Sequence, residues 1–268
     1  TSVYITQDIG TTLKKYEDYK PQEQVWVVGD EQILHFKMLF AIIKKMGYDW
    51  ADDLYHMAYG MVNLPTGKMK SREGTVVDAD DLFAEMTELA KQATLERDPS
   101  LAGDELEERA AIIGMGALKF MLLKFNPKTT MMFDPQASVK FVGDTGPYVQ
   151  YACARINSIM RKAADKGLTP GVDVDWSLLT APSEKALAIQ ASYYPATLQA
   201  AAAKKDCSTL VTFLLDLAKA FNRFYGECSV LDADNEAQSK ARLALCLNVR
   251  DVLADGLGAL TIKVPEAM

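Results

Sequence analysis

The chain has 268 residues, of which 49% are hydrophobic and 24% charged, and its formal net charge is −7. This composition is typical of a folded cytoplasmic protein with room for two modest domains, and no apolar run approaches the roughly 18 residues of a membrane span. Four cysteines without a CxxC pair argue against structural zinc and against a disulfide framework.

The first sixty residues carry an α/β pattern. Residues 1–20 predict a short extended piece, Ser2–Ile5, followed by a helix capped by Thr6. The apolar run 25–28 (VWVV), which Gly29 ends, predicts a buried parallel strand, and 32–46 predicts the helix after it. With a second strand within 54–62, this is half of a βαβ unit, and ligands of such sheets bind where strands end and helices begin.

The next segment, residues 65–75 (PTGKMKSREGT), is a loop with a cationic tip. Two glycines bracket three cations, Lys68, Lys70 and Arg72. Such a loop can close on a triphosphate and stabilise the charge that develops on leaving pyrophosphate. Taken alone, the segment is equally explained as a charged hairpin tip.

From Asp80 onward the pattern is helical and no strand is predicted. The apolar spacing predicts helices at 80–93, 103–125, 147–162, 183–204, 207–225 and 236–257. Segment 183–204 is either two helices or one helix bent at Pro195. The predicted fold class is therefore α/β followed by all-α, with domains at 1–90 and 143–268 and a helical connecting segment at 91–142.

Residues 143–162 are the most informative stretch. Thr145 or Gly146 can cap a helix that has Pro147 in its first turn, and Tyr148, Tyr151 and Arg155 then share one helical stripe. Residues 119–162 contain seven basic and two acidic residues, a local net of +5 in an acidic chain. The stripe is either ordinary core or a site where bases of single-stranded RNA stack.

Several segments, in order, resemble the arginyl-tRNA synthetase family. The segment 143–156 (GDTGPYVQYACARI) resembles the opening of the family's anticodon-binding domain. Four further matches follow the family's order: 4–8 (YITQD), 27–32 (VVGDEQ), 224–231 (FYGECSVL) and 264–268 (VPEAM). The loop 66–75 is similar to the class I signature loop, with Lys70-Ser71-Arg72 where Ser-Lys-Ser is usual.

The resemblance implies a fold and an activity. The fold would be the C-terminal half of a Rossmann-type parallel-sheet catalytic domain, followed by a helical-bundle anticodon-binding domain. The activity would be ATP-dependent activation of arginine and its transfer to tRNA(Arg). ATP with Mg²⁺ is then a substrate, no bound organic cofactor or metal site is expected in the protein, and neither DNA nor a membrane is a partner. The protein is expected to be monomeric.

The resemblance also implies roles for individual residues. Catalysis would use Lys68, Lys70, Ser71 and Arg72. Arginine would be bound by Tyr4, Asp8 and Gln32. Asp8 would pair with its guanidinium, because planar, bidentate charge pairing is how a carboxylate distinguishes Arg from Lys. The nucleotide would contact His35, Met61 and Val62, and the anticodon would contact Tyr148, Tyr151, Arg155, Tyr225 and Met268. Tyr225 has a second interpretation as the end of the Phe221–Phe224 core.

No segment resembling the family's His-Ile-Gly-His motif occurs in the chain. The chain is therefore expected to be a catalytically incomplete C-terminal portion that forms no adenylate alone. An alternative of another class remains open, a stand-alone tRNA-binding module without catalysis, because both hypotheses use the same aromatic stripe.

Overall fold

The computed structural model describes residues 2–65, 78–171, 173–232 and 234–268. The chain divides into two compact units. The first consists of Thr1–Asn63 with Asn126–Met132, and the second of Leu64–Phe125 with Phe133–Met268.

The first unit contains the predicted βαβ element. Helix α1 (Ser2–Tyr19) precedes strand β1 (Gln24–Gly29), helix α2 (Ile33–Lys45) and strand β2 (Leu54–Tyr59). Strands β1 and β2 are parallel, with Gln24 opposite Leu54. Helix α2 buries Phe36, Leu39 and Ile43 in the core of this unit, as an amphipathic crossover helix requires.

The extended piece predicted at Ser2–Ile5 is wrong, because α1 already begins at Ser2. Ile5 and Ile9, one turn apart, both pack against the core around Phe36. Further along, the Tyr16 ring stacks on Trp50 at 4.2 Å between centroids. Packing along one face thus overrides the local preference of the Val-Tyr-Ile stretch for extended backbone. As a result Tyr4 and Asp8 lie on the same face of one helix.

The prediction of no strand after Asp80 is also wrong. Strand β3 (Val62–Asn63) pairs in parallel with strand β4 (Met131–Met132). Gly60 lies beside this pair, and its N–H donates to the carbonyl oxygen of Pro127 at 2.7 Å. A Cβ at Gly60 would lie 2.6 Å from the Thr129 backbone, so the approach requires glycine. Two-residue strands are too short for a pattern in the sequence to reveal them.

The second unit is helical in the part that the structure describes. Its helices are α3 (Ala79–Leu95), α4 (Gly103–Leu123), α5 (Pro135–Ser138), α6 (Gly146–Asp165), α7 (Pro182–Ser192), α8 (Tyr194–Lys204), α9 (Ser208–Glu227) and α10 (Glu236–Ala259). Segment 183–204 thus forms two helices, of which the second has Pro195 in its first turn. None of the described helices is long and apolar enough to cross a membrane.

Helix α6 lies at the centre of this unit. The Thr145 hydroxyl caps it by accepting a hydrogen bond from the Tyr148 N–H at 3.2 Å, which confirms the predicted cap. A Cβ at Gly146 would lie 2.6 Å from the carbonyl oxygen of Gly116, so α4 and α6 pack with their backbones in close approach. Val149, Ile156 and Ile159 enter the core, and this fixes which face of α6 remains outside.

Candidate functional site

The residues predicted for the catalytic loop, Lys68, Lys70, Ser71 and Arg72, lie outside the described residues. Their predicted role stays a prediction. Among the residues that are described, no group of three His, Cys, Asp or Glu side chains is arranged to hold a metal ion.

The residues predicted to bind arginine and the nucleotide lie in the first unit. The Nε2 atom of His35, on α2, is 2.7 Å from Oδ2 of Asp8, on α1. Asp8 remains 44% exposed, so the rest of its carboxylate is open to a ligand. Tyr4 is exposed one turn before Asp8, and the exposed Gln32 immediately precedes α2.

Met61 and Val62 lie at the start of β3. The carbonyl oxygen of Met61 accepts a hydrogen bond from Met131 N–H at 2.9 Å, which fixes the backbone there. The Met61 side chain is exposed and that of Val62 is half-buried. The predicted contact of His35, Met61 and Val62 with the nucleotide stays a prediction.

The predicted stripe on α6 forms a connected network with α9. Asn222 Nδ2 donates to the Tyr148 hydroxyl at 2.9 Å, and Asn222 Oδ1 accepts from Arg155 Nη1 at the same distance. Arg155 Nη2 in turn donates to the Tyr151 hydroxyl at 3.1 Å. The three α6 side chains are half-buried rather than core, so one face of each group stays accessible.

A row of alternating aromatic and arginine side chains crosses this face. The Arg155 guanidinium lies 4.7 Å from the Tyr151 ring centroid and 5.1 Å from that of Tyr225. The Arg97 guanidinium also lies 4.7 Å from the Tyr151 centroid, and it lies 4.5 Å from that of Phe141. We call these five side chains, Phe141, Arg97, Tyr151, Arg155 and Tyr225, the aromatic–arginine row.

The row agrees only partly with the sequence-based assignment. Tyr151, Arg155 and Tyr225 were predicted to share a site, and the structure brings them together. The ring of Tyr225 also lies 6.0 Å from that of Phe221, in agreement with the second interpretation as the end of the Phe221–Phe224 core, and its contact with the anticodon stays a prediction. Arg97 and Phe141 were missed because they come from the turn after α3 and the loop before α6, where no periodicity marks them.

The charges of the row affect Tyr151 directly. The hydrogen bond from Arg155 lowers the pKa of the Tyr151 hydroxyl, and the positive charges of Arg155 and Arg97 lower it further. Two cations held against one phenol ring make this a strongly electropositive place on an acidic protein.

The C-terminal segment is held along α4 and α6. Lys119 Nζ donates to the carbonyl oxygen of Thr261 at 2.8 Å, and Gln150 Nε2 donates to that of Lys263 at the same distance. Asn157 Nδ2 lies 3.3 Å from the carbonyl oxygen of Glu266. These bonds bring Met268, which is half-buried, into a groove of about 560 Å³ that Arg97 also lines.

Some of the positive charge predicted around the stripe is neutralised within the fold. Lys219 and Lys124 both contact Asp144, and the hydrogen bond from Lys219 is the main reason why the pKa of that carboxyl is lowered. Cys153 is fully buried, and burial raises the pKa of its thiol to about 12. This cysteine is therefore part of the core and not of the accessible face.

Comparison with known protein families gives two matches along the chain. The family described as "tRNA synthetases class I (R), catalytic domain" matches residues 1–135. The family described as "DALR anticodon binding domain" matches residues 149–268. Of the aromatic–arginine row, Arg97 lies in the region that matches the catalytic-domain family, Phe141 lies between the two matched regions, and the other three members lie in the region that matches the anticodon-binding family.

Curated relatives and a solved structure agree with these families. The chain is 45% identical to the arginine–tRNA ligase of Flavobacterium psychrophilum and 43% identical to that of Treponema denticola, with all of the chain covered in both cases. It spans only 44% and 46% of the length of these relatives. The arginyl-tRNA synthetase of Thermus thermophilus superposes with a TM-score of 0.83 at 33% identity, covering 93% of this chain and 42% of that one.

Proposed function

Because the chain belongs to the arginyl-tRNA synthetase family, we propose that its second unit binds the anticodon loop of tRNA(Arg) and that the protein serves ATP-dependent ligation of arginine to that tRNA. The aromatic–arginine row is the observation that carries this proposal. Aromatic rings stack on unpaired bases, and guanidinium groups pair with phosphates. In this row both kinds of group alternate on one accessible face.

The residues of the face have distinct roles in the proposal. Tyr151 and Tyr225 offer ring surface to bases, and Arg155 offers positive charge between them. Asn222 orients Arg155 and Tyr148 through its two hydrogen bonds, so the face is ordered before RNA arrives. Met268 adds an apolar side chain at the neighbouring groove. An ordered face loses less conformational entropy on binding than a mobile one.

In the first unit we propose that Asp8 pairs with the guanidinium of the substrate arginine. His35 already contacts Oδ2 of Asp8 at 2.7 Å, which fixes the orientation of the carboxylate. A carboxylate accepts several hydrogen bonds, so the remaining lone pairs can receive the two parallel N–H groups of a guanidinium. Tyr4 and Gln32 would complete the arginine site, and Lys68, Lys70, Ser71 and Arg72 would stabilise the phosphates of ATP. We expect the protein to be cytoplasmic and monomeric. Light scattering measures the mass of the particle in solution and so tests the oligomeric state.

Binding of tRNA tests the proposal. Equilibrium affinities of the chain for arginine tRNA and for a non-cognate tRNA are measured at two salt concentrations, for the wild type and for Tyr148→Ala, Tyr151→Ala and Met268→Ala. Each lost base stack is expected to cost roughly 1–3 kcal/mol of binding free energy. Thermal melts of the same variants separate a binding defect from a folding defect.

The two possible outcomes have different meanings. Tighter binding of cognate tRNA, weakened by the tyrosine changes without loss of the fold, supports an anticodon-binding face. The proposal would be contradicted if the wild type bound both tRNAs with equal affinity and if none of the three variants changed that affinity.

A further inference from the structure

Arg97 contacts aromatic rings of the protein, but its positive charge has no carboxylate partner among the described residues. The side chain is exposed at the turn after α3. Within the described part of the chain it forms no salt bridge, although other arginines do, such as Arg109 with Glu105 at 2.6 Å. We propose that Arg97 is a phosphate-binding residue for single-stranded RNA on the aromatic–arginine row, an inference that rests on the proposed function.

The two rings hold the guanidinium in a defined place. Phe141 and Tyr151 have centroids 6.4 Å apart and planes inclined by 75°, and the Arg97 Cζ lies within 5 Å of both centroids. The N–H bonds of a guanidinium all lie in its plane, so packing against aromatic surface leaves its edge able to donate hydrogen bonds, beyond the interaction with the Tyr151 hydroxyl. Arg97 is thus pre-organised to donate two parallel hydrogen bonds, which is the arrangement that a phosphate accepts.

Two of the acidic groups near Arg97, Asp98 beside it in the chain and Glu105 in the groove, have hydrogen-bond partners within the fold. The Asp98 carboxylate accepts hydrogen bonds from the N–H of Ser100 at 3.1 Å and from its hydroxyl at 2.6 Å. These bonds, with that from the hydroxyl foremost, lower the pKa of Asp98. Glu105 is bonded to Arg109. Neither carboxylate forms a salt bridge with Arg97 among the described residues, and each has another partner in the free protein.

The position of Arg97 joins two parts of the proposed RNA face. It contacts Tyr151 in the row and also lines the groove that contains Met268. An RNA strand whose bases stack along the row therefore has its sugar–phosphate backbone within reach of Arg97 at the groove. This extends the RNA-binding surface beyond the region 149–268 that matches the anticodon-binding family.

The test is the salt dependence of binding to an anticodon stem-loop RNA of tRNA(Arg), measured by fluorescence anisotropy between about 50 and 200 mM salt. The variants are Arg97→Ala, Arg97→Lys and Phe141→Leu, with Tyr151→Ala to check the proposed function. Arg250→Ala is the matched control, because Arg250 is a partly exposed arginine on α10 that pairs with Asp251.

We expect Arg97→Ala to weaken binding roughly tenfold or more, the effect of losing a charged hydrogen bond. It should also reduce the slope of log K against log salt by about 0.7, the value for one phosphate contact on a single strand. Arg97→Lys should retain the slope with lower affinity, since it keeps the charge without the planar fork. Phe141→Leu should likewise weaken binding without changing the slope.

Three results would refute one or both proposals. If Tyr151→Ala weakens binding while Arg97→Ala matches Arg250→Ala in affinity and slope, the role of Arg97 is refuted and the proposed function stands. If the wild type binds no RNA, both fail. A lower melting temperature of Arg97→Ala with unchanged RNA affinity would show a purely structural role and would also refute the inference.

Discussion

Gln150 donates a hydrogen bond to the backbone carbonyl oxygen of Lys263 at 2.8 Å, across 113 residues of sequence. The same amide nitrogen lies 3.3 Å from the carbonyl oxygen of Ile112, on α4. One fully buried side chain thus ties together α4, α6 and the C-terminal segment. The groove that contains Met268 depends on this bond, because it fixes the path of the segment.

Replacing Gln150 is expected to loosen the C-terminal segment. Gln150→Ala leaves the carbonyl oxygens of Ile112 and Lys263 without this donor and creates a small cavity. We expect the free energy of unfolding to fall by about 1–3 kcal/mol, measured by urea denaturation, and trypsin to cleave faster after Lys263. Gln92→Ala is the control, since Gln92 makes only an exposed bond to Glu88 within one helix. Equal stability of the two variants would contradict the role of Gln150.

The buried ion pair of the second unit is expected to be a major determinant of its stability. Arg242 Nε contacts Glu184 Oε1 at 2.6 Å, and Arg242 Nη1 donates to the carbonyl oxygen of Ser229 at 2.7 Å. Arg242→Met would leave Glu184, which is fully buried, as an uncompensated charge. We expect a loss of about 3–5 kcal/mol in unfolding free energy, measured by urea denaturation.

A second variant separates the buried charge from simple loss of packing. Arg242→Met combined with Glu184→Gln removes both charges, so part of the stability should return. The exposed pair of Arg250 and Asp251 serves as the control, where Arg250→Ala should cost no more than about 1 kcal/mol. If Arg242→Met is as mild as Arg250→Ala, the pair has no structural importance.

Asn222 orients two side chains of the proposed RNA-binding face, so its replacement is expected to weaken RNA binding. It donates to Tyr148 and accepts from Arg155, so Asn222→Asp keeps the acceptor, loses the donor and adds a negative charge beside the row. We expect weaker binding of anticodon stem-loop RNA by roughly tenfold at low salt, with a smaller difference at high salt because salt screens the added charge. Anisotropy titrations measure both. Asn248→Asp adds the same charge at an exposed position of α10, and an equal effect of the two variants would reject this role for Asn222.

The thiols should differ strongly in reactivity. Burial raises the pKa of Cys153 and of Cys246 to about 12, from an ordinary value of 9.0, and Cys228 is also buried. Cys207 is exposed, although burial and the nearby Asp206 raise the pKa of its thiol too. At pH 8 a disulfide reagent should therefore titrate one thiol per folded chain, slowly, and four in denaturant. Rapid reaction of a second thiol in the folded protein would mean that α6, α10 or the end of α9, where Cys228 lies, opens.

The sequence predicted the helices of this protein better than it predicted the site. Helices α6 and α9 follow from one apolar stripe each, because a long amphipathic pattern leaves few alternatives. The stripe of Tyr148, Tyr151 and Arg155 was visible for the same reason. The three side chains are half-buried, so they are not simply core, and their stacking against RNA bases stays a prediction.

What the sequence did not predict depends on contacts between distant segments. Arg97 is distant from Tyr151 in the chain and meets it only because α3, α4 and α6 pack together, so no local pattern could mark it. The pair of Asp8 and His35 likewise depends on how α1 packs on α2. At the N-terminus the β-branched residues favour extended backbone, but the segment is helical because a helix lets both Ile5 and Ile9 pack against the core.

The most direct test of the account is discrimination between two RNA hairpins. The chain is titrated with the anticodon stem-loop of tRNA(Arg) and with the same hairpin carrying a non-arginine anticodon, using the wild type, Tyr151→Ala and Tyr225→Ala. We predict that the wild type binds the arginine loop more tightly and that each variant reduces this preference, because ring surface that stacks on loop bases is lost. Equal affinity of the wild type for both hairpins, or a preference that both variants retain in full, would contradict the assignment of this face to the anticodon.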